Sequence, residues 1–231
     1  MAGSMSLIAE DLLLLLLDDD SGALVQQSFV KEALAGAVLA ELAVADAVEM
    51  EERTVLGFGA QPHVVPAKGA SVDDPLLADA LAVVAQKPRT AQALLGPLGK
   101  DLRERLTDRL VERGILRREE GRVLGLFPRT TWPTVDSAHE DEVRRTVRAV
   151  LLDGAEPDER TAALVGLLHA IDRAHKTIGA TGSEGRAVKK RAKAVAEGEV
   201  ASAAVRRAVE AINTAVITAV VASSSAAAAS S

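Results

Sequence analysis

The chain has 231 residues, of which 48% are apolar and 26% are charged, and its formal net charge is −6. This is the balance of a globular protein with enough apolar residues for a sizeable core. The acidic net charge disfavours a dedicated nucleic-acid-binding protein, and a single Trp with no Tyr disfavours stacking on unpaired bases. The absence of cysteine excludes disulfide bonds, a thiol nucleophile and cysteine-ligated zinc.

The N-terminal segment contains six consecutive leucines, Leu12 to Leu17. Glu10 and Asp11 precede them, so the segment lacks the positively charged start of a signal peptide. It is also shorter than the roughly 20 apolar residues that span a bilayer. We therefore predict a buried helix from Ser6 to Leu17 in a cytoplasmic protein.

The next segments predict a turn, a helix, a hairpin and a loop. Residues 18–22 are rich in Asp, Ser and Gly and favour a turn. A helix from about Ser28 to Ala43 carries its larger apolar residues on one face. Two short strands are then predicted at residues 47–50 and 54–58, with a turn between them at 51–53. A Gly- and Pro-rich loop is predicted at residues 59–69.

The middle of the chain predicts three helices followed by a second hairpin. The first helix runs from Pro75 to about Gln86, and Thr90 caps a second, which Gly96-Pro97 is expected to end. A charged helix follows from Lys100 to the Gly stop at residue 114, with three leucines facing inward: Leu102, Leu106 and Leu110. Two apolar strands then flank a predicted turn at Glu119-Glu120-Gly121.

The C-terminal half predicts helices, one loop and a tail. Ser137 and Glu140 have the spacing of a capping box at the start of a helix. The predicted helices cover about residues 137–152, 157–174, 186–196 and 200–221, with a loop at 179–185. The fold class is therefore mainly α, a single helical-bundle domain over residues 5–222 with two small β-hairpins. Residues 1–4 are typical of a cloning remnant, and the Ser/Ala-rich residues 223–231 predict a flexible tail.

Catalytic motifs are absent from the sequence. It contains no Walker loop, dinucleotide fingerprint, nucleophile elbow or H-E-x-x-H zinc motif, so we expect no cofactor and no enzymatic activity. The four histidines do not fall at metal-ligand spacing. His169 and Asp172, three apart on one predicted helix, are a conceivable general-base pair. A structural hydrogen bond is the more common role of such a pair.

Two cations of the charged helix are candidates for binding an anion. Lys100 and Arg103 are three residues apart, a spacing at which a lysine and an arginine can share one phosphate-sized anion. The alternative is a solvated surface helix, on which the cations pair with acids of the same helix. Those expected pairs are Asp101–Arg105 and Arg109–Glu112.

The second hairpin combines an apolar tip with flanking arginines, which suits a membrane surface or a partner protein. Its candidate membrane or self-association residues are Arg117, Arg118, Arg122, Val123 and Leu124. Trp132, the only tryptophan, follows the hairpin. Its amphipathic ring fits a domain surface, a membrane interface or the core.

Several segments together resemble the Golgi phosphoprotein 3 family, whose yeast member is a vacuolar-sorting protein. In chain order they are Leu7-Ile-Ala-Glu-Asp-Leu-Leu-Leu-Leu, Leu34-Ala-Gly-Ala-Val-Leu-Ala-Glu-Leu-Ala, Leu102-Arg-Glu-Arg-Leu, Leu110-Val-Glu-Arg-Gly-Ile-Leu, Thr130-Thr-Trp-Pro and Leu168-His-Ala-Ile-Asp. The resemblance covers about residues 5–221. It implies a mostly helical domain that binds phosphatidylinositol 4-phosphate as a peripheral membrane protein. Eukaryotic relatives also hold glycosyltransferases in the Golgi.

The resemblance also implies where a headgroup pocket lies. Two basic residues of the family's later helix fall on Lys100 and Arg103, so that charge is kept. The family's pocket tryptophan falls near Gln26 and its second-helix arginine on Ala35, so both are replaced. The Ala- and Arg-rich, cysteine-free composition indicates a bacterial homologue.

We therefore expect a non-enzymatic, peripheral membrane protein that binds an anionic phospholipid headgroup through Lys100, Arg103 and the hairpin cations. No nucleic-acid partner is expected, and the hairpin is a candidate surface for homo-oligomerisation. Two alternatives stay open. A helix, a Gly and a basic hairpin also describe a winged-helix-like DNA-binding protein, although acids are interleaved with the cations throughout. A ligand-free oligomerisation or adaptor module is the other.

Overall fold

A computed structural model of the chain describes residues 6–18, 22–24, 29–55, 59–123, 127–198 and 203–229. Over this part, ten helices and two separate antiparallel hairpins confirm the predicted mainly α class. The helices are α1 (Ile8–Leu16), α2 (Val30–Val44), α3 (Pro75–Ala85), α4 (Ala91–Leu98), α5 (Leu102–Glu112), α6 (Ala138–Leu151), α7 (Glu159–Ala170), α8 (Ala174–Thr177), α9 (Gly182–Ala196) and α10 (Ala203–Ala229). The strands are β1 (Val48–Val55), β2 (Gly59–Pro66), β3 (Glu119–Val123) and β4 (Phe127–Thr131).

Helices α1 and α2 form the centre of the core. Every residue of α1 is buried, including Glu10 and Asp11. In α2 all residues from Ala33 to Ala43 are buried. A helix that is buried on all sides has to be surrounded by other elements. Accordingly, α1 packs against α2, α5, α6 and α7, while α2 also packs against α4, α7 and α10.

Two glycines allow α10 to approach the core closely. A Cβ atom on Gly36 of α2 would lie 2.6 Å from Cγ2 of Val216. A Cβ atom on Gly166 of α7 would lie 2.5 Å from Nδ2 of Asn213. Side chains at either glycine would therefore push α10 away. The two glycines therefore set the position of α10 against α2 and α7.

The first hairpin is longer than predicted, and the turn predicted at residues 51–53 is wrong. Strand β1 continues through residues 51–53, which were predicted to turn. Strand β2 occupies most of the predicted loop at 59–69, and its register runs from Val48 opposite Pro66 to Val55 opposite Gly59. Prolines are tolerated in this ribbon because each strand of a two-stranded sheet has an unpaired edge.

The turn predicted at residues 119–121 of the second hairpin is also wrong. These residues lie inside β3, with Glu119 opposite Thr131 and Gly121 opposite Arg129. Side chains two residues apart point to the same side of an extended chain. Here they form ion pairs that favour the strand, Arg117 with Glu119 and Arg118 with Glu120.

Several helix boundaries differ from the predicted ones. Helix α4 continues through Gly96 and Pro97 and ends at Leu98, because the proline lies in the last turn, where it removes only one intrahelical hydrogen bond. The helix predicted at 157–174 instead ends at Ala170, and α9 begins within the predicted loop at 179–185. Helix α10 is helical to Ala229. The flexibility of residues 223–231 and the limits of the domain stay predictions.

The predicted capping box of α6 does not form. The hydroxyl of Ser137 donates to the Asp141 carboxylate at 3.0 Å and does not cap the helix. The backbone N–H of Ala138 instead donates to the side chain of Asp136 at 3.0 Å. A carboxylate one residue earlier thus satisfies the first turn.

Candidate anion-binding site

Arg103 lies over the ring of Trp132. The Arg103 Cζ atom is 5.9 Å from the ring centroid, within the range of a cation–π contact. The segment after α1 holds the tryptophan backbone, because the N–H of Trp132 donates to the carbonyl of Gly22 at 2.8 Å. Gly22 has φ +60°, and a Cβ atom there would lie 2.3 Å from the nitrogen of Pro133. Only glycine can occupy that position without moving the tryptophan segment.

Lys100 lies in the turn between α4 and α5 and not on the helix itself. Helix α5 begins at Leu102, so the predicted common helical face of Lys100 and Arg103 is wrong. The reason is Asp101, whose left-handed φ of 53° changes the chain direction between the two cations. Lys100 is nevertheless exposed, immediately before the first turn of the helix that carries Arg103.

Lys31, in the first turn of α2, borders the same turn. A Cβ atom on Gly99 would lie 2.7 Å from Cγ of Lys31 and 3.1 Å from Cε, so the lysine stem lies across Gly99. Ala35 is one helical turn later on the same face and is fully buried. A cation is therefore present on α2 although the position matched by the family's arginine holds alanine. Sequence reasoning missed Lys31; its signal was that it is the only cation in α2.

We refer to Lys31, Lys100, Arg103 and Trp132 as the cationic corner. Within the part of the chain that the structure describes, its three cations form no ion pair with a carboxylate. The Asp101 side chain does not cap α5, so first-turn N–H groups add partial positive charge beside Lys100. Exposed Asp101 and Glu104 reduce the local charge excess. Recognition here would therefore depend on geometry as well as on charge. Gln26 lies outside the described residues.

The cations of the second hairpin are arranged differently. Arg117 pairs with Glu119, and Arg118 with Glu120 at 3.2 Å, all on the surface. Exposed pairs of this kind contribute little to stability. The remaining hairpin residues are Arg122 and Val123, whose side chains are not described, and Leu124, which lies outside the described residues. The role of the hairpin in membrane contact or self-association stays a prediction.

A second charged cluster lies at the other end of α1 and is buried. Helix α1 begins without a Ser, Thr, Asn or Asp cap, and carboxylates satisfy its N-terminus instead. The Leu7 N–H donates to Glu10 at 2.8 Å, and the Ile8 N–H donates to Glu41 at 2.5 Å. The Glu10 side chain is fully buried and binds Arg109 and Arg113, each at 3.0 Å. These carboxylates therefore anchor the central helix.

The same cluster continues through Arg160. Its guanidinium binds the carboxylate of Glu41 and that of Asp11, the latter at 3.2 Å, and His139 Nε2 lies 2.7 Å from Asp11. Burial raises the pKa of Glu41, and the neighbouring Arg160 opposes that rise. A cavity of about 440 Å³ opens beside Asp11, His139 and Arg160. Because Asp11 and Arg160 already bind each other, we assign this cluster a structural role.

The ion pairs predicted within α5 do not form. Arg105 binds Asp79 of α3 at 2.6 Å, and Arg109 binds Glu10 and Asp74. Arginine is long enough to reach carboxylates of neighbouring elements, and burial strengthens the pairs of Arg109, whereas the Arg105–Asp79 pair is exposed. Burial alone would raise the pKa of Asp74, but hydrogen bonds and charge from Arg109 outweigh it and lower the pKa.

The conceivable general-base pair of His169 and Asp172 is not formed either, because α7 ends at Ala170 and Asp172 lies beyond it with a left-handed φ of 53°. The Asp172 carboxylate binds Nζ of Lys189 at 2.8 Å, and over the described residues no hydrogen bond joins it to the His169 ring. Burial lowers the pKa of His169. A search of the same residues finds no group of three His, Asp or Glu that could hold a metal ion.

The described helices include none with both the length and the apolarity to cross a bilayer. Fold and corner together define a mainly helical domain that presents cations beside one surface tryptophan. The model of the Golgi phosphoprotein 3 (GPP34) family matches residues 8–212, so the chain belongs to that family. A search of curated proteins finds no match to the chain.

Proposed function

We propose that the protein is a non-enzymatic, peripheral membrane protein that binds an anionic phospholipid headgroup at the cationic corner. The observation that carries this proposal is the position of Arg103 over Trp132, beside an exposed Lys100 and with no carboxylate pairing either cation over the described residues. Family membership supports a lipid-binding role of the same kind.

The chemistry of the corner fits a phosphate group at a membrane surface. Arginine offers a planar fork of donors, whereas lysine offers a compact charge, so one phosphate can be held from two directions. Tryptophan rings are favoured at bilayer interfaces because one edge is polar and the rest is apolar. Trp132 is partly buried and packs against the core.

We propose a phosphoinositide-like headgroup as the preferred ligand. Lys31 would take the place of the second-helix arginine, whose position holds Ala35 in this chain. Trp132 would provide the aromatic side in place of the family tryptophan that falls near Gln26. In this proposal a headgroup with a terminal phosphate, such as phosphatidylinositol 4-phosphate, contacts all three cations. A phosphatidylserine headgroup is smaller and can satisfy fewer of them.

Vesicle co-sedimentation tests the proposal. The vesicles consist of phosphatidylcholine alone, or with phosphatidylserine or phosphatidylinositol 4-phosphate added. The double variant Lys100→Ala/Arg103→Ala should bind anionic vesicles about 30-fold more weakly, since each surface cation contributes on the order of 1 kcal/mol. Its thermal unfolding should match that of the wild type, because neither side chain forms an ion pair with the residues that the structure describes.

The matched control is Lys68→Ala/Lys87→Ala, which removes the same charge from two exposed lysines outside the corner. It should bind like the wild type. Equal losses in both variants would mean that only net charge matters and would reject the corner as a site. Equal binding to all three vesicle types would reject recognition of an anionic headgroup.

A further inference from the structure

Helix α9 concentrates positive charge in an otherwise acidic protein. Residues 186–193 contain five lysines and arginines and no acid, while the whole chain has a net charge of −6. We call four exposed members of this segment the α9 basic face: Arg186, Lys189, Lys190 and Lys193. Such a run usually forms a solvated surface, so the arrangement of its side chains decides whether it can also bind a partner.

The helix separates its exposed cations from its buried residues. Its buried residues pack against α7 and α8: Gly185, Val188, Ala192 and Val195. The largest apolar residues exposed among the cations are alanines, Ala187 and Ala194. The four cations span about two helical turns, or roughly 10 Å. The face is therefore short, flat and purely electrostatic.

Most of this charge is available to a partner. Lys189 pairs with Asp172, and Lys193 approaches Glu197 at 3.7 Å, but both pairs are exposed and therefore weak. Arg186 and Lys190, one turn apart, make no ion pair with the described part of the chain. Intramolecular contacts leave these two cations in solvent.

We propose that the α9 basic face is a second contact with an anionic bilayer, independent of headgroup identity. A protein partner would need apolar or aromatic anchors at the centre of its interface, and this face has none. A duplex would gain only a few phosphate contacts from so short a face, and such contacts weaken steeply with salt. A bilayer offers anionic headgroups over its whole surface, where each basic residue adds affinity.

Vesicles of phosphatidylcholine and phosphatidylserine provide the test. The variant Arg186→Gln/Lys190→Gln/Lys193→Gln should lose at least about tenfold in affinity, with a smaller dependence on salt. The control Arg53→Gln/Lys68→Gln/Lys87→Gln removes equal charge from exposed positions elsewhere and should change binding far less. Equal affinities of the two triple variants would overturn the proposal.

Two further measurements separate this contact from the cationic corner and from nucleic acid. If the corner binds no lipid, Lys100→Ala/Arg103→Ala will bind as the wild type does while the α9 triple variant still weakens. If both contacts touch one bilayer, a variant that combines the corner and α9 substitutions should lose affinity by the product of the two separate factors. A gel-shift assay at matched salt with a DNA duplex completes the set: loss of duplex binding with unchanged vesicle binding in the α9 variant would overturn the bilayer assignment.

Discussion

The two charged regions at opposite ends of α1 use the same residue types in contrasting ways. In the buried cluster, Glu10 is fully buried between Arg109 and Arg113. In the cationic corner, Arg103 faces an aromatic ring and Lys100 faces solvent. Arginines of the first region are neutralised by the protein itself. The three cations of the second form no ion pair over the described residues.

This contrast shows how to separate structural from functional cations in one chain. A buried charge needs a partner, so its removal leaves the partner unpaired and destabilises the fold. An exposed, unpaired cation contributes little to folding and can be replaced without loss of stability. Variants of the two regions should therefore affect different measurements, unfolding for the first and binding for the second.

The largest effect is expected from Glu10→Ala. It removes the acceptor of the Leu7 N–H and leaves Arg109 without one of its two carboxylates and Arg113 without its carboxylate. Breaking a buried pair in this way costs about 3–5 kcal/mol, to be measured by urea unfolding. Asp79→Ala, which breaks the exposed pair with Arg105, is the control and should cost less than about 1 kcal/mol. A similar cost for both variants would contradict the structural role of the cluster.

A moderate effect with a clear pH dependence is expected from Asp74→Asn. Asparagine can still accept from the N–H groups of Leu76 and Leu77, so the variant loses mainly the charge interaction with Arg109, about 1–2 kcal/mol at neutral pH. Because folding lowers the pKa of Asp74, its contribution is present above the unfolded value of 3.8 and is lost as pH falls below it. The stability difference between variant and wild type should therefore narrow in acid. A constant difference down to the lowest pH would contradict the assignment.

A smaller effect, on binding alone, is expected from Lys31→Gln. Glutamine keeps part of the stem that covers Gly99 but removes the charge, so affinity for anionic vesicles should fall about fivefold. Unfolding should be unchanged. Lys68→Gln removes one exposed charge elsewhere and serves as the control. If Lys31→Gln binds as that control does, Lys31 does not belong to the corner.

The smallest effect is expected from Trp132→Phe. The smaller ring weakens the cation–π contact, and affinity should fall about two- to fivefold, corresponding to roughly 0.5–1 kcal/mol. In an Arg103→Ala background the same substitution should lower affinity less, because the cation–π contact is already absent. Additive losses in the double variant would show that the two residues act separately.

The mainly α class could be predicted because apolar periodicity and aliphatic composition are local properties of the sequence. The hairpins were harder to place. Pro62 and Pro66 are typical of loops, yet a two-stranded ribbon accommodates them at its edges. The prediction that the helix begins at Lys100 was also wrong, because the residue type of Asp101 does not reveal its left-handed conformation. Boundaries depend on tertiary contacts that a local pattern does not contain.

Half of the candidate site was accessible from the sequence. Lys100 and Arg103 were found by spacing and by resemblance, since both lie in one segment. Trp132 was recognised only as a residue with several possible environments. Its place beside Arg103 depends on the close approach of Gly22 to Pro133, a contact between distant parts of the chain. Lys31 was missed for the same reason, since its relation to Gly99 exists only after α2 and α4 have packed.

The position of Trp132 also gives the protein an optical property. With one tryptophan and no tyrosine in the sequence, its ultraviolet fluorescence comes almost entirely from a single indole. That indole lies against Arg103, so a phosphate bound by the guanidinium should alter the intensity of the emission. Contact with a bilayer should dehydrate the ring and shift the emission to shorter wavelength. The wild-type chain can thus report occupancy of its own candidate site without any added label, and binding through α9 alone, which has no ring, would leave the signal unchanged.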